Sequence, residues 1–141
     1  DDVPLARDLL GLMAEARVDF TLAFRRLTDL AGDRAAEARF VALFDEPEPI
    51  GTWLAAWRAR REAEGASGEA QHAAMRSANP AFIPRNHRVE AMIAAAVQGD
   101  LGPFERLLAV LDRPYDDQPE HEDLAEPPGE EQWSYRTFCG T

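Results

Sequence analysis

Apolar residues recur every three or four positions through most of residues 1–111, which is the spacing of amphipathic α-helices. Asp19, Asp33 and Ser67 each precede an apolar run and are suited to cap a helix N-terminus. The seven predicted helices run from Pro4 to about 16, from 20 to Gly32, from 34 to about 44, over roughly 51–63 and 68–78, from the NHRVE stretch to Gly99, and from Pro103 to Pro114. The two prolines of DEPEPIG, residues 45–51, are predicted to separate the third helix from the fourth.

No stretch shows the sustained alternation of apolar and polar residues that is typical of strands. The sequence therefore predicts an all-α fold, an irregular multi-helix bundle stabilised mainly by packing of its apolar stripes. We expect a helical domain over residues 1–113 and an extended acidic tail over residues 114–141.

The tail is defined by its composition. Between residues 112 and 132 there are nine acids and one base, Arg113, and four prolines disfavour a regular helix. Apolar and aromatic side chains are nevertheless spread along it: Tyr115, Leu124, Trp133, Tyr135 and Phe138. These anchors predict a strap that lies on a folded surface, either of this chain or of a partner.

The charged residues of the chain exclude several kinds of site and argue against one class of partner. Its formal net charge is −11, and all 15 basic residues are arginine. The absence of lysine excludes a P-loop, a kinase-type nucleotide lysine and Schiff-base catalysis in this sequence. So acidic a chain is not expected to bind nucleic acid. No apolar run is long enough to span a membrane, and a single cysteine cannot form an internal disulfide, which favours a reducing compartment.

No catalytic set is visible, because the glycines are isolated and the three histidines have no metal-binding spacing. His121, Glu122 and Asp123 could hold a hard cation weakly, but the ligand ladder of an EF-hand is missing and a solvated acidic turn is favoured. We therefore predict no catalytic residue, no metal ligand and no cofactor-binding residue within this chain.

The stretch NPAFIPRNHRVE, residues 79–90, is the densest cluster of polar groups. Arg85, Asn86, His87 and Arg88 place two fixed positive charges at a predicted helix start, where positive charge is mildly unfavourable. A compensating acid is expected, and the acidic tail can supply one. The stretch is either a structural corner, the favoured interpretation, or a docking site for an anionic segment or ligand.

Two other pairs have both a structural and a functional interpretation. Arg25 and Arg26 could grip an anion, but pairing of one of them with Asp29, with the other solvated, is favoured. Trp53 and Trp57 could form a ligand platform, but a place in the core or in an interface is favoured.

Cys139 stands third from the end of the sequence, in YRTFCGT. It is either incidental or an accessible thiol for redox chemistry, which needs an exposed thiolate.

The stretches NPAFIPRNHRVE, GDLGPFERLLAVLDRPYDDQP and YRTFCGT together resemble the C-terminal end of the SelO (selenoprotein O) family, and DFTLAFRRLTDL and TWLAAWRARREAEG fit the same family. The resemblance implies part of a protein-kinase-like fold and a full-length enzyme that transfers AMP from ATP to Ser, Thr or Tyr hydroxyls of proteins, with Mg²⁺ or Mn²⁺. Many animal members carry selenocysteine third from the end, so the resemblance also implies a redox role for Cys139.

The residues that hold nucleotide and metal in that family lie upstream of the stretches matched here. The resemblance therefore implies a helical region that is inactive by itself and whose partners are the kinase-like lobe of its own longer chain and the protein substrates of the full enzyme. A bacterial member is expected in the cytoplasm. The opening DDVPLARDLL, without an initiator Met, fits a piece of a longer protein. The alternative is a stand-alone acidic helical adaptor that binds a basic partner through residues 112–132.

Overall fold

The computed structural model of the chain describes residues 2–129, and the predicted all-α class is confirmed over them. The described residues contain no strand. The α-helices are α1 (Asp2–Glu15), α2 (Phe20–Gly32), α3 (Glu37–Val41), α4 (Pro47–Ala63), α5 (Gly68–Ala78), α6 (Asn86–Val97), α7 (Gly102–Leu111) and α8 (Glu122–Ala125). Short 3₁₀ helices, Arg34–Ala36 and Pro119–His121, precede α3 and α8. The chain divides into two compact units, one ending at Asn79 and the other beginning at Pro80.

The three predicted N-terminal caps are confirmed. An Asp19 carboxylate oxygen accepts from the Leu22 amide at 2.8 Å, and the Ser67 hydroxyl accepts from the Ala70 amide at 3.2 Å. Asp33 accepts from the Ala35 amide at 2.9 Å and so opens the 3₁₀ turn before α3. Each bond satisfies a backbone donor that has no partner inside its helix.

The predicted start of α4 is wrong by about a turn, because the helix begins at Pro47 rather than near residue 51. A proline in the first turn costs no hydrogen bond, since the amides there have no intrahelical acceptor. The prolines of DEPEPIG therefore belong to the helix start. The third predicted helix is correspondingly shorter: α3 ends at Val41, and Phe44 follows in a turn.

The core of the first unit lies where α1, α2 and α4 meet the segment around α3. Phe40, Ile50 and Leu54 are completely buried, and the Phe40 ring meets that of Phe44 edge-on at 5.4 Å. Full burial of each such side chain contributes about 1.5–3 kcal/mol. The other buried apolar residues of this core are Leu9, Met13, Ala23, Leu27, Leu30, Trp53 and Trp57.

The second unit has a smaller core formed by Phe82, Leu107, Val110 and Leu124. The amides of Ala81 and Phe82 both donate to the Pro114 carbonyl, at 2.8 and 3.1 Å. The segment from Pro80 is thereby held against the end of α7, and Phe82 is buried in the core of the unit.

The acidic segment is not extended throughout, since a 3₁₀ turn and α8 occupy residues 119–125. Pro119 begins the 3₁₀ turn, a position in which its missing amide costs nothing. The buried Gln118 amide donates to the carbonyls of Val110 and Arg113 at 3.1 and 3.0 Å, and Leu124 is buried in the core of the unit. Composition alone missed these contacts.

Candidate functional site

The stretch from Arg85 to Arg88 forms the start of α6, and we call it the arginine corner. Arg85 is the N-cap residue of the helix, in extended backbone conformation, and its side chain makes no capping bond. That side chain is buried, with 6% of its surface exposed. The corner thus combines a buried guanidinium with a helix start.

His87 is neutral at pH 7. Partial burial lowers the pKa of the His87 imidazole below its ordinary value of 6.5, and the charges of Arg88 and Arg85 lower it further. The fixed charge of the corner therefore comes from its two arginines.

The corner meets the acidic segment through Arg88, whose Nη2 donates to the backbone carbonyl of Asp123. The carboxylate of the same Asp123 receives a two-pronged contact from Arg106 on α7, with Nη1 to Oδ2 at 2.9 Å and Nη2 to Oδ1 at 2.5 Å. Arg106 Nε also donates to His121 Nδ1 at 3.2 Å. We call Arg88, Arg106, His121 and Asp123 the clamp, because they join α6 and α7 to the segment that carries α8.

The clamp affects the protonation of its own members. The hydrogen bond from Arg106 lowers the pKa of the Asp123 carboxyl below its ordinary value of 3.8 and raises the pKa of Arg106. Both side chains are more than a third exposed, so the pair orients α8 more than it stabilises the fold. An external anion would have to compete with Asp123 here, and its docking at the corner stays a prediction.

The Arg25–Arg26 pair is built into the first unit. Arg25 is buried, donates through Nη1 to the Asn79 carbonyl at 3.2 Å, and lies 3.9 Å from Asp29. Arg26 Nη1 donates to the Arg39 carbonyl at 3.4 Å and is half-buried. The favoured pairing with Asp29 is present, whereas the expectation that the second arginine is simply solvated is wrong.

Trp53 and Trp57 are buried, as the favoured interpretation required, and their rings stack with centroids 6.1 Å apart. The Trp53 indole N–H donates to the Leu5 carbonyl at 2.8 Å and so ties α4 to α1. The Arg61 guanidinium lies 4.7 Å from the centroid of the Trp57 ring, a cation–π contact.

Over residues 2–129, no group of three or more His, Cys, Asp or Glu side chains could hold a metal ion. Within the same range no helix is both long and apolar enough to cross a bilayer. Cys139, with Trp133, Tyr135 and Phe138, lies outside the described residues.

Arg106 and Arg61 were not predicted as site residues from the sequence. The available signal for Arg106 was modest: it is the only base in the otherwise largely apolar α7. Its partner Asp123 is 17 residues away, and only the fold brings the two together.

A scan against models of protein families gives no match for this chain. Individual relatives are nevertheless similar over its whole length. A Rhizobium etli protein named protein nucleotidyltransferase YdiU is 54% identical over 141 residues, which cover 99% of this chain and 28% of the relative. Proteins of the same name from Rhodopseudomonas palustris and Rhizobium meliloti are 51% and 49% identical over 142 residues, covering all of this chain and 29% of each relative.

The three relatives are bacterial, and each is named a protein nucleotidyltransferase. More particularly, the chain belongs to the SelO/YdiU family and corresponds to the C-terminal part of its members. The chain spans about 28% of the length of the relatives that it matches.

Proposed function

We propose that this chain is the helical C-terminal part of a protein adenylyltransferase that transfers AMP from ATP to Ser, Thr or Tyr hydroxyls of proteins. The supporting observation is the 49–54% identity, over the whole chain, to proteins named protein nucleotidyltransferase. In this proposal ATP and Mg²⁺ or Mn²⁺ are held by a kinase-like part outside the sequence, and the whole protein acts in the bacterial cytoplasm. The role of the chain is to support that part.

A chimera tests this proposal. The corresponding C-terminal part of the Rhizobium etli relative is replaced by this chain, and transfer from α-labelled ATP to protein is measured with Mg²⁺ or Mn²⁺. The chimera is expected to keep the activity of the parent, and the chain alone is expected to show none. A folded chimera without activity, or appreciable labelling by the chain alone, would contradict the proposal.

The exposed faces of α6 and α7 support an internal docking role. Ile93 and Val97 on α6, and Leu101, Phe104 and Leu108 at the start of and along α7, are 44–76% exposed. The spacing of three or four residues gives each helix an apolar stripe directed away from its own core. Exposed apolar surface of this extent is typical of an interface. In the proposal these stripes pack against the kinase-like part.

Substitution of the most exposed stripe residue tests this contact. Val97→Lys is expected to leave the fold of the isolated chain unchanged, since the side chain is 76% exposed, but to weaken co-purification with the remaining part of the Rhizobium etli relative expressed separately. The matched control is Gln98→Lys, an exposed polar neighbour. Equal co-purification of both variants would exclude the α6 stripe as the contact.

The same proposal includes a redox role for Cys139. Its thiol and a second thiol of the full protein would be oxidised to a disulfide, with two electrons and two protons passing to a peroxide that is reduced to water. Cys139→Ser in the chimera is expected to abolish any difference in activity between peroxide-treated and dithiothreitol-treated enzyme. An unchanged response of the serine variant would refute this role.

The adaptor alternative receives less support from the geometry. In the described part of the acidic segment, Asp123 is engaged by Arg106, while Gln118 and Leu124 are buried within their own unit. A basic partner would have to compete with these contacts.

A further inference from the structure

A groove of about 690 Å³ opens on the first unit and is lined by residues of α1, α2, α4 and α5. Its walls are largely apolar and include Leu5, Leu9, Phe24, Leu27, Trp53 and Trp57. Leu10 and Phe20 also line it and are 46% and 60% exposed. The volume lies in the range of small-molecule sites, about 300–1,000 Å³, and such sites combine apolar walls with a few polar groups.

The polar side chains that line the groove are Asp2, Arg60, Arg61, Glu64, Gln71 and Asn79, and Arg61 is the candidate anion ligand among them. Its Nε donates to Gln71 Oε1 at 2.8 Å and its Nη2 donates to the Ala31 carbonyl at 3.1 Å, and both acceptors are neutral. Its Nη1 has no hydrogen-bond acceptor within the described part of the chain, and no carboxylate there lies within ion-pair distance of it. By contrast, Arg60 beside it is paired with Asp2 and lies 3.6 Å from Glu64. Within the described residues, Arg61 therefore has no carboxylate at ion-pair distance, although the charge of Glu64 acts on it from further away.

Arg61 is also partly removed from water. Burial lowers the pKa of its guanidinium, and the charge of Glu64 acts in the opposite direction. The group remains charged at neutral pH. A partly desolvated cation attracts an anion more strongly than a fully hydrated one does, because the effective dielectric constant around it is lower.

We propose that this groove binds an amphiphile with a flexible apolar chain and a carboxylate head, the chain lying on the Trp53–Trp57 floor and the head on Arg61. An extended peptide fits less well, because its backbone amides and carbonyls would meet walls that offer few polar partners. A single charged end on an apolar chain matches the one guanidinium group, that of Arg61, that lines the groove without an ion-pair partner in the described residues.

The probe for the experiment is dodecanoate, titrated into the 141-residue chain below its micelle-forming concentration. In a Trp133→Phe background, which removes the third tryptophan, indole fluorescence reports the groove through Trp53 and Trp57, and calorimetry gives the stoichiometry. Saturable binding of one dodecanoate per chain is expected, at least about tenfold tighter than binding of dodecyltrimethylammonium, because a charge-assisted hydrogen bond to Arg61 is worth about a factor of ten or more. Absence of saturable binding, or equal binding of both amphiphiles, would overturn the proposal.

Two variant pairs locate the site. Arg61→Gln should weaken dodecanoate binding at least about tenfold, whereas Arg58→Gln, on the same helix but not lining the groove, should keep it. Ala74→Trp fills the groove from an exposed position and should abolish binding, whereas Ala73→Trp, at the exposed neighbour outside the groove, should not. Equal effects within either pair would place the ligand elsewhere and refute the site.

The last binding measurement uses the longer protein. The chimera with the Rhizobium etli relative should bind dodecanoate as the chain alone does. If only the isolated chain binds, the groove is an internal contact surface of the longer protein, and the proposal fails.

Discussion

Arg17 and Gly99 occupy the same position in two equivalent helix ends, which allows a paired test of backbone strain. After α1, the Arg17 amide donates to the Ala14 carbonyl and the Val18 amide to the Met13 carbonyl. After α6, the Gly99 amide donates to the Ala96 carbonyl, and the next residue closes the same pattern. This is the Schellman arrangement, which requires a left-handed residue. Arg17 has φ 52° and Gly99 has φ 88°.

The expected change in the free energy of unfolding is the difference between two opposing effects. The left-handed conformation costs a side-chain-bearing residue about 1–2 kcal/mol, whereas glycine adds about 0.4–1 kcal/mol of unfolded-state entropy that folding must remove. Arg17→Gly should therefore stabilise the first unit by about 0.5–1 kcal/mol, and Gly99→Ala should destabilise the second by a similar amount. Packing does not confuse the comparison, since Arg17 is exposed and a Cβ at Gly99 would meet no atom within 4 Å.

Urea unfolding of the 141-residue chain provides the assay. In a Trp133→Phe background, indole fluorescence follows the first unit through Trp53 and Trp57, and circular dichroism follows the helices of both units. Arg17→Ala is the matched control, because it removes the guanidinium but keeps the left-handed side-chain-bearing residue, so it should give no comparable gain. If Arg17→Ala stabilises as much as Arg17→Gly, the gain comes from loss of charge and the strain argument is refuted.

Three further outcomes are expected. Gly32→Ala should destabilise the first unit by about 1 kcal/mol, because the new Cβ would lie 2.8–2.9 Å from the His72 ring; His72→Ala should remove most of that penalty in urea unfolding, and no rescue would contradict the clash. Trp53→Phe should cost about 1 kcal/mol or more through the lost indole hydrogen bond to α1, measured by thermal unfolding, with the variant at wild-type stability as the contrary result. The carboxyl of Asp123 should titrate below 3.8 in NMR. Because its pKa is lower in the folded state, its contribution to the free energy of unfolding is present above the unfolded pKa and is lost as the pH falls through the folded pKa. Arg106→Gln should return the pKa of Asp123 toward 3.8, and an unchanged titration would exclude the contact.

The helix starts could be predicted from the sequence because each depends on a capping residue only a few positions away. Asp19, Asp33 and Ser67 act on amides two or three residues away, so their capping needs no knowledge of tertiary structure. Gly32 was placed correctly at the end of α2, but the sequence did not show the contact that requires a glycine there. A Cβ there would meet the His72 ring, so it is a close approach between α2 and α5 that demands glycine.

What the sequence did not predict depends on contacts between distant residues. The acidic segment looks extended by composition, yet burial of Leu124 and the bonds from Gln118 to the end of α7 favour compact turns over residues 119–125. Likewise, the charge of Arg106 is paired through a residue 17 positions away. Sequence spacing shows the charges but not which of them meet.

Two open apolar surfaces within residues 2–129 differ in a way that favours different occupants. The stripes on α6 and α7 are convex helix faces whose side chains, such as Val97 and Leu108, project from the surface, as an interface between proteins requires. The first-unit groove is concave and contains a cation, Arg61, whose hydrogen-bond acceptors in the described residues are all neutral. A protein helix placed in that groove would need an acid at one fixed position to match the cation, whereas a carboxylate amphiphile brings the charge at its own end. The chemistry of the two surfaces therefore favours a macromolecular contact at the first and a small anionic ligand at the second.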